Sequence, residues 1–150
     1  MDRSLVFTKP GNEHHSLEVF SYLNHRLEGH FVRSPLVYVP HISRQIIEAH
    51  YENIRELPIF EATIEAYLKD SITLSVYCGE DIISRIRKIV GITDPRKAEK
   101  DTIRGRFSSD SMDEAFRERR YLNNVIHASS GREDAEREIK LWMPFLNRTI

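Results

Sequence analysis

The sequence predicts an α+β sandwich in one domain, and two observations carry that expectation. Short β-rich apolar runs and helical stripes follow one another in the order β-α-β-α-α-β-α-loop-β-α. That order points away from a doubly wound parallel sheet. The 150 residues are 40% hydrophobic and 30% charged, a soluble globular balance that is too apolar for disorder. One domain usually takes about 100–200 residues. A chain of this size buries roughly two-thirds of its unfolded surface, so it needs no disulfide or structural metal to fold.

Leu5-Val6-Phe7 reads as a short buried strand, ended by Lys9-Pro10-Gly11-Asn12. A helix follows from Ser16, with Val19, Phe20, Leu23 and Leu27 at helical spacing and Gly29 as its stop. Phe31 to Val39 is β-rich, and Pro35 inside it predicts an edge strand or a bulge. Ser43 can cap a helix carrying Ile46, Ile47, His50, Tyr51 and Ile54, ended before Pro58. A shorter helix holds Phe60, Ile64 and Leu68, and Ile72 to Cys78 is the clearest strand. Glu80 to Val90 is a helix stopped by Gly91. The polar stretch Ile92 to Leu122 is too long for a plain connection. Within it Ser111 and Glu114 form a capping box for a helical turn from Met112 to Arg120. Asn124 to Ala128 is a last short strand. Ser130 and Glu133 form a second capping box before a helix with Ala135, Ile139 and Trp142 inward.

Lys and Arg total 22 against 23 Asp and Glu, a formal charge of −1. A dedicated duplex binder shows a basic excess, so a nucleic-acid partner is not expected. A small phosphorylated ligand needs only a local cluster of cations. Cys78 is the single cysteine, so no intrachain disulfide and no CxxC zinc site are expected, and a reducing cytoplasm is the natural location. Met1 to Pro10 lacks the long apolar run of a signal peptide. No apolar run approaches the roughly 18 residues of a membrane span.

Three helices place a polar residue on the apolar stripe. Ala135, Glu138, Ile139 and Trp142 fall at i, i+3, i+4, i+7; so do Ile83, Ile86, Arg87 and Val90, and so do Ile47, His50, Tyr51 and Ile54. A charge on such a face costs several kcal/mol unless paired. Long side chains can snorkel or pair at the core margin; alternatively the three positions build a polar site inside the sandwich. His14, His15, His25, His30 and His41 read as solvated and show no zinc-ligand spacing, and His50 reads as a satisfied core residue. His127 differs, because strand alternation puts Val125, His127 and Ser129 on one face, with a hydroxyl near the imidazole. In the long loop, Thr93-Asp94-Pro95 and Thr102-Ile103-Arg104-Gly105 set hydroxyls and a guanidinium beside glycine, a pattern that suits phosphate oxygens. No Walker or Rossmann glycine loop is present.

Taken together, G-I-T-D-P from Gly91, D-T-I-R-G from Asp101, N-V-I-H-A-S-S from Asn124 and A-E-R-E-I-K-L-W from Ala135 resemble the nucleoside diphosphate kinase family. The match extends upstream through F-T-K-P from Phe7 and A-H-Y-E-N-I-R-E-L-P-I-F from Ala49. The resemblance implies a ferredoxin-like sandwich, a four-stranded antiparallel sheet with helices packed on it, over residues 1–150. It implies transfer of a γ-phosphate from a nucleoside triphosphate to a nucleoside diphosphate, in a ping-pong reaction through a phosphohistidine. An imidazole, with an ordinary pKa of about 6.5, is a ready nucleophile at neutral pH.

By resemblance His127 is the nucleophile, and Ser129 and Glu138 orient and polarise it. Lys9 and Asn124 bind sugar hydroxyls, Lys9 also reaching phosphate and counting with Tyr51 among the catalytic set. Tyr51, Arg87, Thr93 and Arg104 bind phosphates. Mg²⁺ arrives on the nucleotide phosphates, so no protein metal cage is expected. The family's base-clamping aromatic is Ile59 here, and Tyr121 stands where it could compensate on the other side of the base. The chain between Arg104 and Asn124 is longer than the family pattern, an insertion at about 108–122 that carries Met112 and Phe116 one turn apart. That stripe is expected at a subunit contact or as a roof on the nucleotide cleft. A homo-oligomer is expected, a tetramer or hexamer built from dimers. The chain ends at Ile150, soon after Trp142, without a long tail to brace neighbours. The alternative function is a weakly active family member that serves as a nucleotide-sensing or interaction scaffold.

Overall fold

The computed structural model describes residues 1–147 of the chain. The last three residues of the predicted 1–150 domain, with the chain end at Ile150, lie outside the described residues. The central strand β1 (Asp2–Thr8) pairs antiparallel with β4 (Ile72–Gly79) on one side and β5 (Ile126–Ala128) on the other. The short strands β2 (Val32–Arg33) and β3 (Val37–Val39) both pair with the far edge of β4. The sheet therefore has five strands rather than four.

Pro35 is the reason for the difference. Val32 faces Cys78 and Arg33 faces Tyr77, but Val37 faces Leu74, so three residues on one side span two on the other. The proline cannot donate to the ladder, and the strand bulges and splits there. Ser34 covers the gap: its Oγ accepts from Val76 N at 2.9 Å, and its carbonyl accepts from Ser75 Oγ at 2.8 Å.

Helices cover both faces. Val6 and Tyr77 pack against α1 (Ser16–Arg26), α4 (Ile82–Val90) and α5 (Ile103–Phe107) through Val19, Phe20, Leu23, Ile82, Ile86 and Ile103. Leu5, Phe7 and Leu74 pack against α2 (Arg44–His50), α3 (Phe60–Lys69) and α7 (Arg132–Leu146) through Ile47, Ile64, Tyr67, Ile139 and Trp142. Both faces of β1 are buried, which is why Leu5-Val6-Phe7 shows no alternation.

Several element boundaries differ from expectation. α2 stops at His50 and a 3₁₀ turn, Glu52–Ile54, completes the approach to Pro58. On α3 the expected Phe60 and Ile64 are buried together with Thr63 and Tyr67, and Leu68 is exposed. The long loop holds two helices. α5 is capped by Thr102, whose Oγ1 accepts from Gly105 N at 3.1 Å. α6 (Met112–Glu118) is capped by Ser111, whose Oγ accepts from Glu114 N at 3.3 Å. The second predicted box does not form: Gly131 is the N-cap of α7, and Ser130 instead hydrogen-bonds Asp134. Ser130 sits one residue too early to reach the first-turn amides.

Candidate active site

His127 lies mid-strand on β5, opposite Phe7, and its ring stacks on that phenyl with centroids 4.7 Å apart. Val125, at φ 75, is left-handed. That backbone breaks the alternation expected for the strand, and Val125 packs with Ile126 and Ala128 on the α1/α4 side. Ser129 stays in reach of His127, though through an intermediary. Ser129 Oγ accepts from Leu5 N at 2.9 Å and donates to Glu138 Oε1 at 2.7 Å. His127 Nε2 meets the same Oε1 at 2.9 Å. An ionised carboxylate can only accept, so the imidazole donates from Nε2 and its Nδ1 keeps a lone pair. No hydrogen-bond partner of Nδ1 is found among the described residues. The charge on the α7 stripe is thus a buried carboxylate with two donors.

His50 sits beside this pair, with ring centroids 4.6 Å apart from His127. Trp142 Nε1, which can only donate, meets His50 Nδ1 at 3.0 Å. Burial first, and then the neighbouring His127, holds the His50 ring well below the ordinary histidine range. His50 is the satisfied core histidine expected, and it also lines the cleft beside His127. His50, His127 and Glu138 offer ligand atoms within 4.8 Å of one another. Glu138 Oε1 already accepts from Ser129 and His127, and His50 Nδ1 already accepts from Trp142, so a metal held through those atoms would displace those bonds.

Two hollows meet at His127. One, about 250 Å³, has apolar walls of Ile54, Leu57, Ile59, Met112, Phe116 and Leu122, with Lys9, Thr93 and Asn124 at its polar end. The other, about 340 Å³, is lined by Arg87, Arg104, Arg137, Ser130 and Glu138. Tyr51, Thr93, Arg104 and His127 border both.

The cations are held by neutral oxygens. Lys9 Nζ donates to Asn124 Oδ1 at 2.8 Å and to the Leu122 carbonyl at 3.3 Å. Burial, helped by Arg104, lowers its pKa to about 7. Asn124 Nδ2 is fixed in turn by the Thr93 carbonyl at 3.0 Å. Arg104 donates to the carbonyls of Ile126, Asn124 and Gly91 at 2.8, 3.2 and 3.2 Å. Burial, and secondarily Arg87, lowers its pKa to about 10. Among the described residues neither cation forms an ion pair with a carboxylate, which leaves a buried positive field for an anion to neutralise. Arg87 stands exposed at the rim, with no ion pair among the described residues. Tyr51 shares a 2.6 Å hydrogen bond with Tyr67, and burial pushes its phenol upward.

Lys9, Tyr51, Ile59, Thr93, Arg104, Asn124 and His127 therefore meet at one cleft, Arg87 and Glu138 join at its polar side, and Ser129 stands behind Glu138. Tyr121 does not line it. Its hydroxyl donates to the Pro10 carbonyl at 3.0 Å, and its ring lies 5.2 Å under the Lys9 ammonium. Leu57, Leu122 and Arg137 complete the walls without an advance signal, since an isolated apolar loop residue or helix cation looks like any other.

Comparison with known proteins gives a consistent result. The family model described as nucleoside diphosphate kinase matches residues 2–147. A nucleoside diphosphate kinase of Symbiobacterium thermophilum is 36% identical over 95% of this chain and 87% of its own length. One of Clostridium perfringens is 32% identical over 96% and 92%. Among solved structures, a transition-state mimic of the Borrelia burgdorferi enzyme with bound vanadate and ADP superposes with a TM-score of 0.83 at 25% identity, covering 99% of this chain and 92% of that one. The apo Encephalitozoon cuniculi enzyme gives 0.80 at 26%, covering 100% and 94%. With a partly exposed histidine held by a buried carboxylate at the meeting point of an apolar and a cationic hollow, and with relatives matched over nearly its full length, the chain belongs to the nucleoside diphosphate kinase family.

Proposed function

We propose that this chain moves the γ-phosphate of a nucleoside triphosphate onto His127 and from there onto a nucleoside diphosphate. The observation that carries the proposal is the hydrogen bond from His127 Nε2 to Glu138, which leaves Nδ1 as the nucleophilic nitrogen. In the first half-reaction the Nδ1 lone pair forms a bond to the γ-phosphorus. The bond from that phosphorus to the bridging oxygen breaks, and its electron pair leaves with the diphosphate. The ring keeps its Nε2 proton and gains positive charge, which the Glu138 carboxylate balances at 2.9 Å. A second diphosphate then reverses the step.

Arg87 and Arg104 are placed to hold phosphate oxygens, with Thr93 and Tyr51 adding hydroxyls. Lys9 and Asn124 suit the sugar hydroxyls at the junction of the two hollows. Arg104 cannot swing freely, because three carbonyls hold it, so its charge is already aimed when the nucleotide arrives. Mg²⁺ fits here as an ion carried on the nucleotide's phosphates, because the cleft presents mainly cations and hydroxyls and Glu138 is already taken. When bound it supplies charge neutralisation between phosphate oxygens.

The same reading includes a homo-oligomer, a tetramer or hexamer built from dimers. The exposed apolar residues Leu17 on α1 and Val32 on the sheet edge support it. A cytoplasmic location suits the single, unpaired Cys78. Among the described residues no helix is long and apolar enough to cross a membrane.

The test separates the two half-reactions. The protein is incubated with ATP, freed of nucleotide, then mixed with a different nucleoside diphosphate. The expected result is new triphosphate, at most one per chain, with no ATP present. Phosphate that moves only when both nucleotides are present together would contradict the ping-pong route.

A further inference from the structure

The insertion around α6 carries a half-exposed aromatic, Phe116, at 42% exposure, on the wall of the apolar hollow. Met112, one turn earlier, lines the same wall. An exposed phenyl has no reason to be held in place by packing alone, yet α6 is firmly mounted. Asp94 Oδ1 accepts from Met112 N at 3.2 Å, and Ser111 Oγ caps the first turn. Arg96 pairs with Glu114 at 3.0 Å, tying the helix to the chain after Thr93. Behind it, Arg120 donates to both Asp110 oxygens at 2.8 and 2.9 Å, and Asp110 also accepts from Asn123 N at 3.0 Å, next to the nucleotide-facing Asn124. Ala115 packs the opposite side of the helix completely into the body.

Ile54, Leu57 and Ile59, which also line the hollow, are aliphatic, and Tyr51, which borders it as well, is held by its hydroxyl to Tyr67 and borders the cationic hollow too. Tyr121, the aromatic nearest in sequence, is committed to Pro10 and Lys9 and stays outside the hollow. The hollow is apolar at the α6 end and polar toward Lys9, Asn124 and His127. A flat, apolar ligand group attached to a sugar and phosphates fits that gradient. We infer that Phe116 is the stacking platform for the nucleobase, supplied by the insertion, with Ile59 as the aliphatic face opposite. This rests on the phosphotransfer reading above and adds a residue that governs how the base is held. A phenyl platform accepts every base, because each has a π-face, and grips purines more strongly through their larger area.

The experiment measures the second-order rate of phosphate uptake by the protein from two donors. ATP has a base; ribose 5-triphosphate keeps the sugar and phosphates and lacks one. The Phe116→Ala variant is expected to lose roughly 5- to 50-fold with ATP, from the usual worth of one base–aromatic stack. The loss should appear as weaker half-saturation, with the saturated rate nearly kept. With ribose 5-triphosphate the variant and the parent should agree, which also shows that the fold survived. Phe116→Tyr should restore the ATP rate. Equal losses with both donors, or no loss with ATP, would overturn the platform. A parent protein that accepts phosphate from neither donor would overturn the phosphotransfer reading itself, and the platform with it.

Discussion

Glu138 on α7 accepts the Nε2 proton of His127 on β5 at 2.9 Å, across elements that come together only in the folded chain. The same oxygen holds Ser129 Oγ at 2.7 Å. The pair fixes the ring's tautomer and sets a negative charge beside the ring that the proposed phosphorylation makes positive. A carboxylate that is only 4% exposed would otherwise be a costly group to bury.

Glu138→Gln keeps an acceptor for the ring but removes the charge. The single-turnover rate of His127 phosphorylation is expected to fall roughly 10- to 1000-fold, the range typical of electrostatic and orienting groups. Rapid-quench measurement with saturating ATP checks it. An unchanged rate would reduce Glu138 to a structural partner.

Lys9 makes the site sensitive to pH. Burial lowers its pKa from 10.5 to about 7 in the folded protein. The unfolded chain therefore binds more protons than the folded one between those values, so this lysine makes stability rise with pH across that window. Nucleotide binding runs the other way. An arriving phosphate favours the ammonium, so binding takes up a proton and weakens as pH climbs above about 7. Calorimetric titrations with ADP from pH 6 to 9 should show that decline, and Lys9→Met should flatten it. A parent affinity independent of pH would contradict the assignment.

Gly105 is required by contact rather than by conformation. A Cβ there would overlap the Glu99 carbonyl, a backbone atom that cannot step aside. Gly105→Ala is expected to cost roughly 1–3 kcal/mol of stability, as overpacking usually does, and to displace the neighbouring Arg104 and weaken nucleotide binding. Gly131→Ala is the control, because nothing lies within 4 Å of the added carbon. Urea unfolding of both variants decides it: similar midpoints would refute the steric argument.

The assembly proposal predicts a mass larger than a dimer. Light scattering at micromolar concentration should show it, and a monomer would reject it. Val32→Glu, at an exposed edge-strand position, should shift the assembly toward smaller species without unfolding the chain.

Much of this site was legible in the sequence because its chemistry violates simple patterning. Glu138 and His50 interrupt apolar stripes, and both are buried polar groups with dedicated partners. Pro35 announced the broken edge strand. The misreadings share one cause, namely that local pattern carries no information on where the backbone turns. Val125 takes a left-handed conformation, so its face could not be counted from His127. Thr102 to Gly105 read as a phosphate loop, but the Thr102 hydroxyl caps α5 by accepting from Gly105 N and donates to the Glu99 carbonyl at 2.6 Å. Arg104 kept its expected place because the short helix aims it back at β5. Tyr121 had the right position along the chain, but it is committed to Pro10 and Lys9 and does not line the cleft. Met112 and Phe116 were visible as a stripe, but only the fold of the insertion shows which surface they face.

In the proposed reaction His127 accepts the phosphate at Nδ1, since Glu138 holds Nε2. Brief incubation with ATP labelled in the γ-phosphate, followed by peptide mapping under alkaline conditions, tests it directly. The expected result is one acid-labile, alkali-stable phosphate per chain, located on His127 and bonded through Nδ1, and none in His127→Ala. Phosphate on another residue, phosphate at Nε2, or an unlabelled protein that still exchanges phosphate between nucleotides would contradict it.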